Sequence, residues 1–129
     1  MNFTSQICTT KEQSEQLLAL GLKKETADCF LEYVGRDNHG NNVWHPSTIV
    51  NNYRMPDYSR DFPAWSLHRL IDLCPHYRIE VGISYVSWDY RNEFPKDFTK
   101  HKDTYNNLID CIEWLIKTGY FNKEYLEEK

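Results

Sequence analysis

A chain of 129 residues with 40% hydrophobic and 15% aromatic content is long enough to bury one core and too apolar for disorder. Its net charge of −4 opposes nonspecific nucleic-acid binding, and no apolar run approaches the roughly 18 residues of a membrane span. The opening MNFTSQICTTKEQ lacks the charged and apolar regions of a signal peptide, so the expectation is one cytoplasmic domain over residues 1–129.

In chain order, the first predicted element is a helix in TTKEQSEQLLALGL. Thr10 and Gln13 have the spacing of a capping box, Gly21 ends the helix, and Leu22 can fold back on Leu17. A second short helix is expected at about 25–29. FLEYVG and NNVWHPSTIV then read as strands on either side of an RDNHG turn.

FPAWSLHRLIDLCP predicts a helix that buries Leu67, Leu70, Ile71 and Cys74, and two readings of Trp65 follow. If the helix includes Trp65, the indole lies on the opposite side near Arg69 and Asp72, where it is exposed as a binding platform. If Ser66 is the N-cap, Trp65 and Leu70 form a hydrophobic staple. Serine is a strong N-cap residue, which favours the staple.

YRIEVGISYVSWDYR alternates as a half-buried strand through Tyr77, Ile79, Val81, Ile83 and Tyr85, and then changes parity at Val86, Trp88 and Tyr90. A slip of one residue would turn side chains to the wrong face, so the chain bulges there or turns into a hairpin near Gly82. The clearest helix is DTYNNLIDCIEWLIKTGYF. Asp103 caps it, Leu108, Cys111, Ile112 and Leu115 share a face, Lys117 complements the dipole, and Gly119 closes it. Asn122 restarts a short helix, with Phe121 and Leu126 stapled across the cap. The expected fold class is α+β: a small antiparallel sheet or hairpin packed against about four helices.

Catalytic signatures are missing. The chain holds no GxSxG, HExxH, Walker A loop or GxGxxG, and His39, His45, His68, His76 and His101 are scattered. Cys74 beside His76 completes an apolar helix face, which reads as a core cysteine rather than a nucleophile. His39 and His45 with Asp37 or Asp57 lack metal-ligand spacing, and neither metal nor cofactor is expected. Cys8, Cys29, Cys74 and Cys111 form no CxxC pair, so four free thiols are expected, three of them in apolar surroundings.

The basic residues are partitioned. Between residues 35 and 92 each one is arginine (Arg36, Arg54, Arg60, Arg69, Arg78 and Arg91), whereas the lysines lie at 11–24 or from 96 onward. The same region is rich in tyrosine and tryptophan. Arginine and aromatics are enriched at binding surfaces, where guanidinium can pair with carboxylate or phosphate and stack on rings. The candidate ligand-binding residues are Trp44, Arg54, Trp65, Arg69, Tyr85 and Trp88. Asp37, Asp57, Asp61, Asp72, Glu80 and Asp89 balance the charge of this region. Nucleic acid is therefore not expected, and a compact anionic ligand or a protein partner fits better.

EQSEQLLALGLKKETADCF, FPAWSLHRLIDLCP, a strand pair and DCIEWLIKTGYF together resemble a family of small uncharacterised proteins from Bacteroides-type bacteria, their prophages and mobile elements. The Pro-Ala-Trp-Ser-Leu string at 63–67 is the most specific part, while residues 35–60 lie outside the pattern. The resemblance implies a phage or mobile-element accessory gene in a bacterial cytoplasm, and it carries over no catalytic residue. The expected function is a non-enzymatic accessory protein that binds a ligand or host partner. One form would act in anti-defence by sequestering a nucleotide-type immune signal. The alternatives are a structural homo-oligomer and a nucleotide-processing hydrolase.

Overall fold

The computed structural model describes residues 6–48, 56–75, 78–82, 84–89 and 96–128. In chain order its elements are α1 (Lys11–Ala19), a 3-10 turn (Lys24–Thr26), β1 (Cys29–Arg36), β2 (Asn42–Thr48) and β3 (Phe62–Ala64). There follow α2 (Leu67–Leu73), β4 (Arg78–Val81), β5 (Val86–Asp89), β6 (Lys96–Phe98), α3 (Thr104–Thr118) and a second 3-10 turn (Lys123–Tyr125). The architecture is α+β. Two three-stranded antiparallel sheets, ordered β2-β1-β3 and β4-β5-β6, accompany three α-helices among the described residues. None of those helices is long and apolar enough to cross a membrane.

The expected helix count of about four is corrected to three. The helix expected at about 25–29 is the 3-10 turn Lys24–Thr26, and Cys29 already belongs to β1; the restart after Asn122 is likewise a single 3-10 turn. The physical reason lies in β1. It is the central strand of its sheet, and Cys29, Phe30 and Leu31 are all buried. A continuous apolar run carries no period that separates buried strand from helix.

Local chemistry accounts for the ends of the helices. Gln13 N donates to Thr10 Oγ1 at 3.2 Å and Thr10 N donates to Gln13 Oε1 at 3.0 Å, the reciprocal capping box of α1. Gln13 also donates to Asp103 Oδ2 at 2.8 Å and Asn106 Oδ1 at 3.2 Å, which ties the start of α1 to the cap of α3. Gly21, at φ 100°, takes the left-handed turn, and Leu22 N reaches Leu17 O at 3.2 Å. Gly119, at φ 85°, does the same for α3, where Tyr120 N donates to Leu115 O at 3.0 Å.

β1 and β2 form the expected hairpin, with an irregularity between Tyr33 and Gly35. Its turn is organised by Asp37, whose Oδ1 accepts from His39 N at 2.8 Å and Asn41 N at 2.9 Å. These backbone donors, Asn41 first and His39 second, hold the Asp37 carboxyl below the usual carboxylate range. A depressed folded pKa contributes stability that is present above the unfolded value and lost as pH falls through the folded one. In an NMR titration, the Asp37 midpoint should lie below that of an ordinary aspartate. The His39 and Asn41 amide signals should shift with the same midpoint, and a midpoint at the usual value would sink this account.

The change of parity at residues 82–86 is resolved by a second hairpin. Val81 pairs with Val86 and Ile79 with Trp88, which brings these four side chains to one face. Gly82 N donates to Tyr85 O at 2.9 Å. A Cβ at Gly82 would lie 2.1 Å from Cε1 of Tyr85, so the tyrosine ring occupies the space a side chain would need. That face, with Phe98 of β6, packs on Leu108, Ile112 and Leu115 of α3 in the main core. Burying each of these aliphatic side chains stabilises by roughly 1.5–3 kcal/mol. A smaller cluster of Cys8, Cys29, Leu31 and Ala64 lies between the β1 sheet and the segment leading into α1, with Trp44 and Phe62 packed on it.

Candidate functional site

The segment leading into α1 is anchored by its own backbone. Thr9 N donates to Trp65 O at 2.9 Å, Trp65 N returns a hydrogen bond to Thr9 Oγ1 at 3.1 Å, and Tyr105 Oη donates to Gln6 O at 3.3 Å. Residues 6–11 thereby form one wall of a cleft of about 320 Å³; Leu31 of β1 and Trp44 and Pro46 of β2 form the other.

Trp44 is half-buried here. Its Nε1 donates to Arg60 O at 3.1 Å, and its ring stands 5.4 Å from Tyr33 and 6.4 Å from Phe62. The Lys11 ammonium sits 5.3 Å from the Trp44 ring centroid and 4.9 Å from that of Phe62, while also pairing with Glu15. An ammonium over aromatic faces is a cation–π arrangement, which holds the long lysine side chain against the rings of Trp44 and Phe62.

Cys8 forms part of the lining, and it is only 4% exposed. Its thiol meets that of Cys29, whose S–H can donate to a Cys8 thiolate; this lowers the Cys8 pKa despite burial and the nearby Asp28 charge. The same contact, with burial and Asp28, pushes Cys29 far up. The first proton therefore leaves more easily than the second. Burial, chiefly, pushes the neighbouring Tyr105 hydroxyl up to about 12. All four cysteines are free and buried, and the other two, Cys74 and Cys111, form a second thiol contact in the main core.

Of the five expected ligand-binding residues that are described, the structure brings only Trp44 to this cleft. Trp65 and Arg69 do converge, but on Thr26: Trp65 Nε1 donates to Thr26 Oγ1 at 2.9 Å and Arg69 Nε to Thr26 O at 2.7 Å. Arg69 Nη1 also meets Asp72 Oδ2 at 3.3 Å. Trp65 is 0% exposed, so its expected role as a ligand contact is corrected to a core position. Ser66 caps α2 and Trp65 precedes the cap, which is the staple arrangement.

Trp88 is corrected in the same way. It is buried, donates from Nε1 to Pro75 O at 3.2 Å, and packs 5.8 Å from Trp114 and 5.1 Å from Tyr120. Tyr85 is 43% exposed on the β4–β5 turn, and Arg54 lies outside the described residues. The lining missed from sequence includes Cys8, Lys11 and Leu31. Lys11 lies outside the arginine-rich region, and the Cys8–Cys29 contact is a tertiary one that leaves no mark in spacing.

A second cleft, of about 380 Å³, lies between α1 and α3, with His101 Nε2 3.1 Å from Asp110 Oδ2 at its edge. Among the described residues, no group of His, Cys, Asp and Glu side chains could hold a metal ion. No protein-family model, no curated protein and no solved structure matches the chain.

Proposed function

We propose that the chain is a non-enzymatic binding protein whose ligand or partner docks in the Trp44 cleft. Its setting as a phage or mobile-element accessory protein rests on the family resemblance, whose most specific part is the string at 63–67. The observation that carries the binding reading is a half-buried tryptophan on the wall of an apolar cleft, with the Lys11 ammonium over its ring. Trp44 offers a flat apolar face, and its own N–H is already satisfied by Arg60 O, so docking leaves no polar group stranded. In the nucleotide form of this reading, a base stacks on Trp44 and a phosphate meets Lys11. That differs from the arginine pairing suggested by composition, because none of the described arginines lines the cleft.

A thermal-shift panel of cyclic nucleotides and ADP-ribose derivatives tests this form. A ligand at about 100 times its Kd should stabilise the wild type by roughly 2.7 kcal/mol, and Trp44→Ala should lose that gain. No stabilisation at millimolar ligand would remove the nucleotide form and leave a protein partner. A large defined particle by light scattering would instead favour the assembly alternative.

One observation favours a hydrolytic reading, the His101–Asp110 pair beside the second cleft. Among the described residues that line that cleft there is no serine, threonine or cysteine, so in this reading the pair activates water. Nucleotide turnover that disappears in His101→Ala is what this reading requires.

A further inference from the structure

Cys8 and Cys29 are twenty-one positions apart (29 − 8), and the fold sets them side by side. Cys29 opens β1, where its Cα partner on β3 is Ala64. The next residue after Ala64, Trp65, exchanges two hydrogen bonds with Thr9, which lays Cys8 against that end of the sheet. Both cysteines join Leu31 and Ala64 in one buried cluster. Cys8 borders the cleft while Cys29, in the same cluster, does not line it among the described residues.

We infer that Cys8 and Cys29 form a dithiol modification site, in which Cys8 is attacked through the cleft by small disulfides of the glutathione class and Cys29 resolves the product. In the first step the Cys8 thiolate attacks one sulfur of the small disulfide. A mixed disulfide forms, the small S–S bond breaks, and one small thiolate leaves to take up the proton that Cys8 gave up. In the second step the Cys29 thiolate attacks Cys8 Sγ, the mixed disulfide breaks, and a second small thiol leaves with the proton from Cys29. Two protein thiols are oxidised to one disulfide, and one small disulfide is reduced to two thiols. The easier first deprotonation at Cys8 agrees with this order, since the thiolate is the attacking form. The Cys74–Cys111 contact is the internal comparison. Cys74 S–H donates to Leu70 O at 3.4 Å and Cys111 is wholly buried, and the adjacent Cys74 first and burial second raise the Cys111 thiol.

The site does not depend on the cleft having a ligand. The test incubates the reduced, folded chain with excess oxidised glutathione and follows intact mass and disulfide-mapped peptides. The wild type should lose two hydrogens and yield a Cys8–Cys29 crosslink, with Cys74 and Cys111 still alkylatable after unfolding. Cys29→Ser should stop at a chain carrying one glutathionyl group on Cys8, and Cys8→Ser should take up neither modification. If Cys8→Ser does not fold, arrest in Cys29→Ser still reads the attacking residue. A wild type that stays fully reduced, stops at the mixed disulfide, or crosslinks Cys74 to Cys111 instead would overturn the inference. Ligand stabilisation lost in Trp44→Ala, together with an unreactive Cys8, would reject the dithiol and leave the binding reading standing.

Discussion

Trp65→Ala is expected to destabilise the protein by roughly 3–5 kcal/mol, the cost of emptying a buried aromatic site. Trp65 is among the largest fully buried side chains, and it packs in the main core with Leu70 and Cys74 of α2 and its cap. Alanine removes the ring and also the donor to Thr26 Oγ1, which fixes the Lys24–Thr26 turn beneath α2. The backbone hydrogen bonds of residue 65 to Thr9 survive the substitution, so the wall of the Trp44 cleft keeps its anchor. Binding at Trp44 should therefore persist in molecules that remain folded. Urea unfolding should show a lower midpoint with an unchanged slope. Trp65→Phe should retain most of the buried area and lose about 1–2 kcal/mol, including the unmade hydrogen bond. A stable Trp65→Ala chain that had lost binding would contradict the core role.

Asn107→Ala carries the next largest expected effect, about 3 kcal/mol. Asn107 is 0% exposed on α3, and its amide bridges chain segments that have no ladder of their own. Its Oδ1 accepts from His101 N at 2.9 Å, and its Nδ2 donates to His101 O at 2.8 Å and to Ser84 O at 3.1 Å. Alanine strands these backbone groups beside a void, and each buried group left unpaired costs roughly 1–3 kcal/mol. The damage should be local as well as global. Amide exchange at His101 should accelerate more than exchange along α3, and the His101–Asp110 pair should loosen because its loop is no longer pinned. Equal acceleration along α3 and at His101 would mean that Asn107 acts through general packing alone.

These two residues mark how far sequence reasoning reaches. Trp65 was legible as a staple because Ser66 is a strong cap and Leu70 stands at the required spacing. The same local logic holds for Thr10 with Gln13, Asp103, Gly21 and Gly119, where side chain and backbone partners lie within a few residues. The RDNHG turn was legible for a related reason, strand-like patterning on both flanks, whereas the break in parity after Gly82 left a bulge or a hairpin open and the β4–β5 pairing decided for the hairpin. Asn107 was not legible, because an asparagine inside a helical pattern looks like any exposed polar residue until the loop at His101 folds over it.

β3 and β6 were missed because three residues cannot display a period; each becomes a strand only by pairing with β1 or β5. The candidate site divides in the same way. Composition drew attention to Trp44 but also to Trp65 and Trp88, whose rings are as large and as apolar and end in the core.

The sequence by itself determined the class of the fold, the caps of its helices and the hairpin at the RDNHG turn, because these rest on interactions between near neighbours in the chain. Only the tertiary structure decided which tryptophan meets the cleft, that Lys11 lies over it, and that Cys8 and Cys29 share one buried cluster. Those outcomes depend on contacts such as Thr9 with Trp65, 56 positions apart, and are set by how the sheet and helices close on one another.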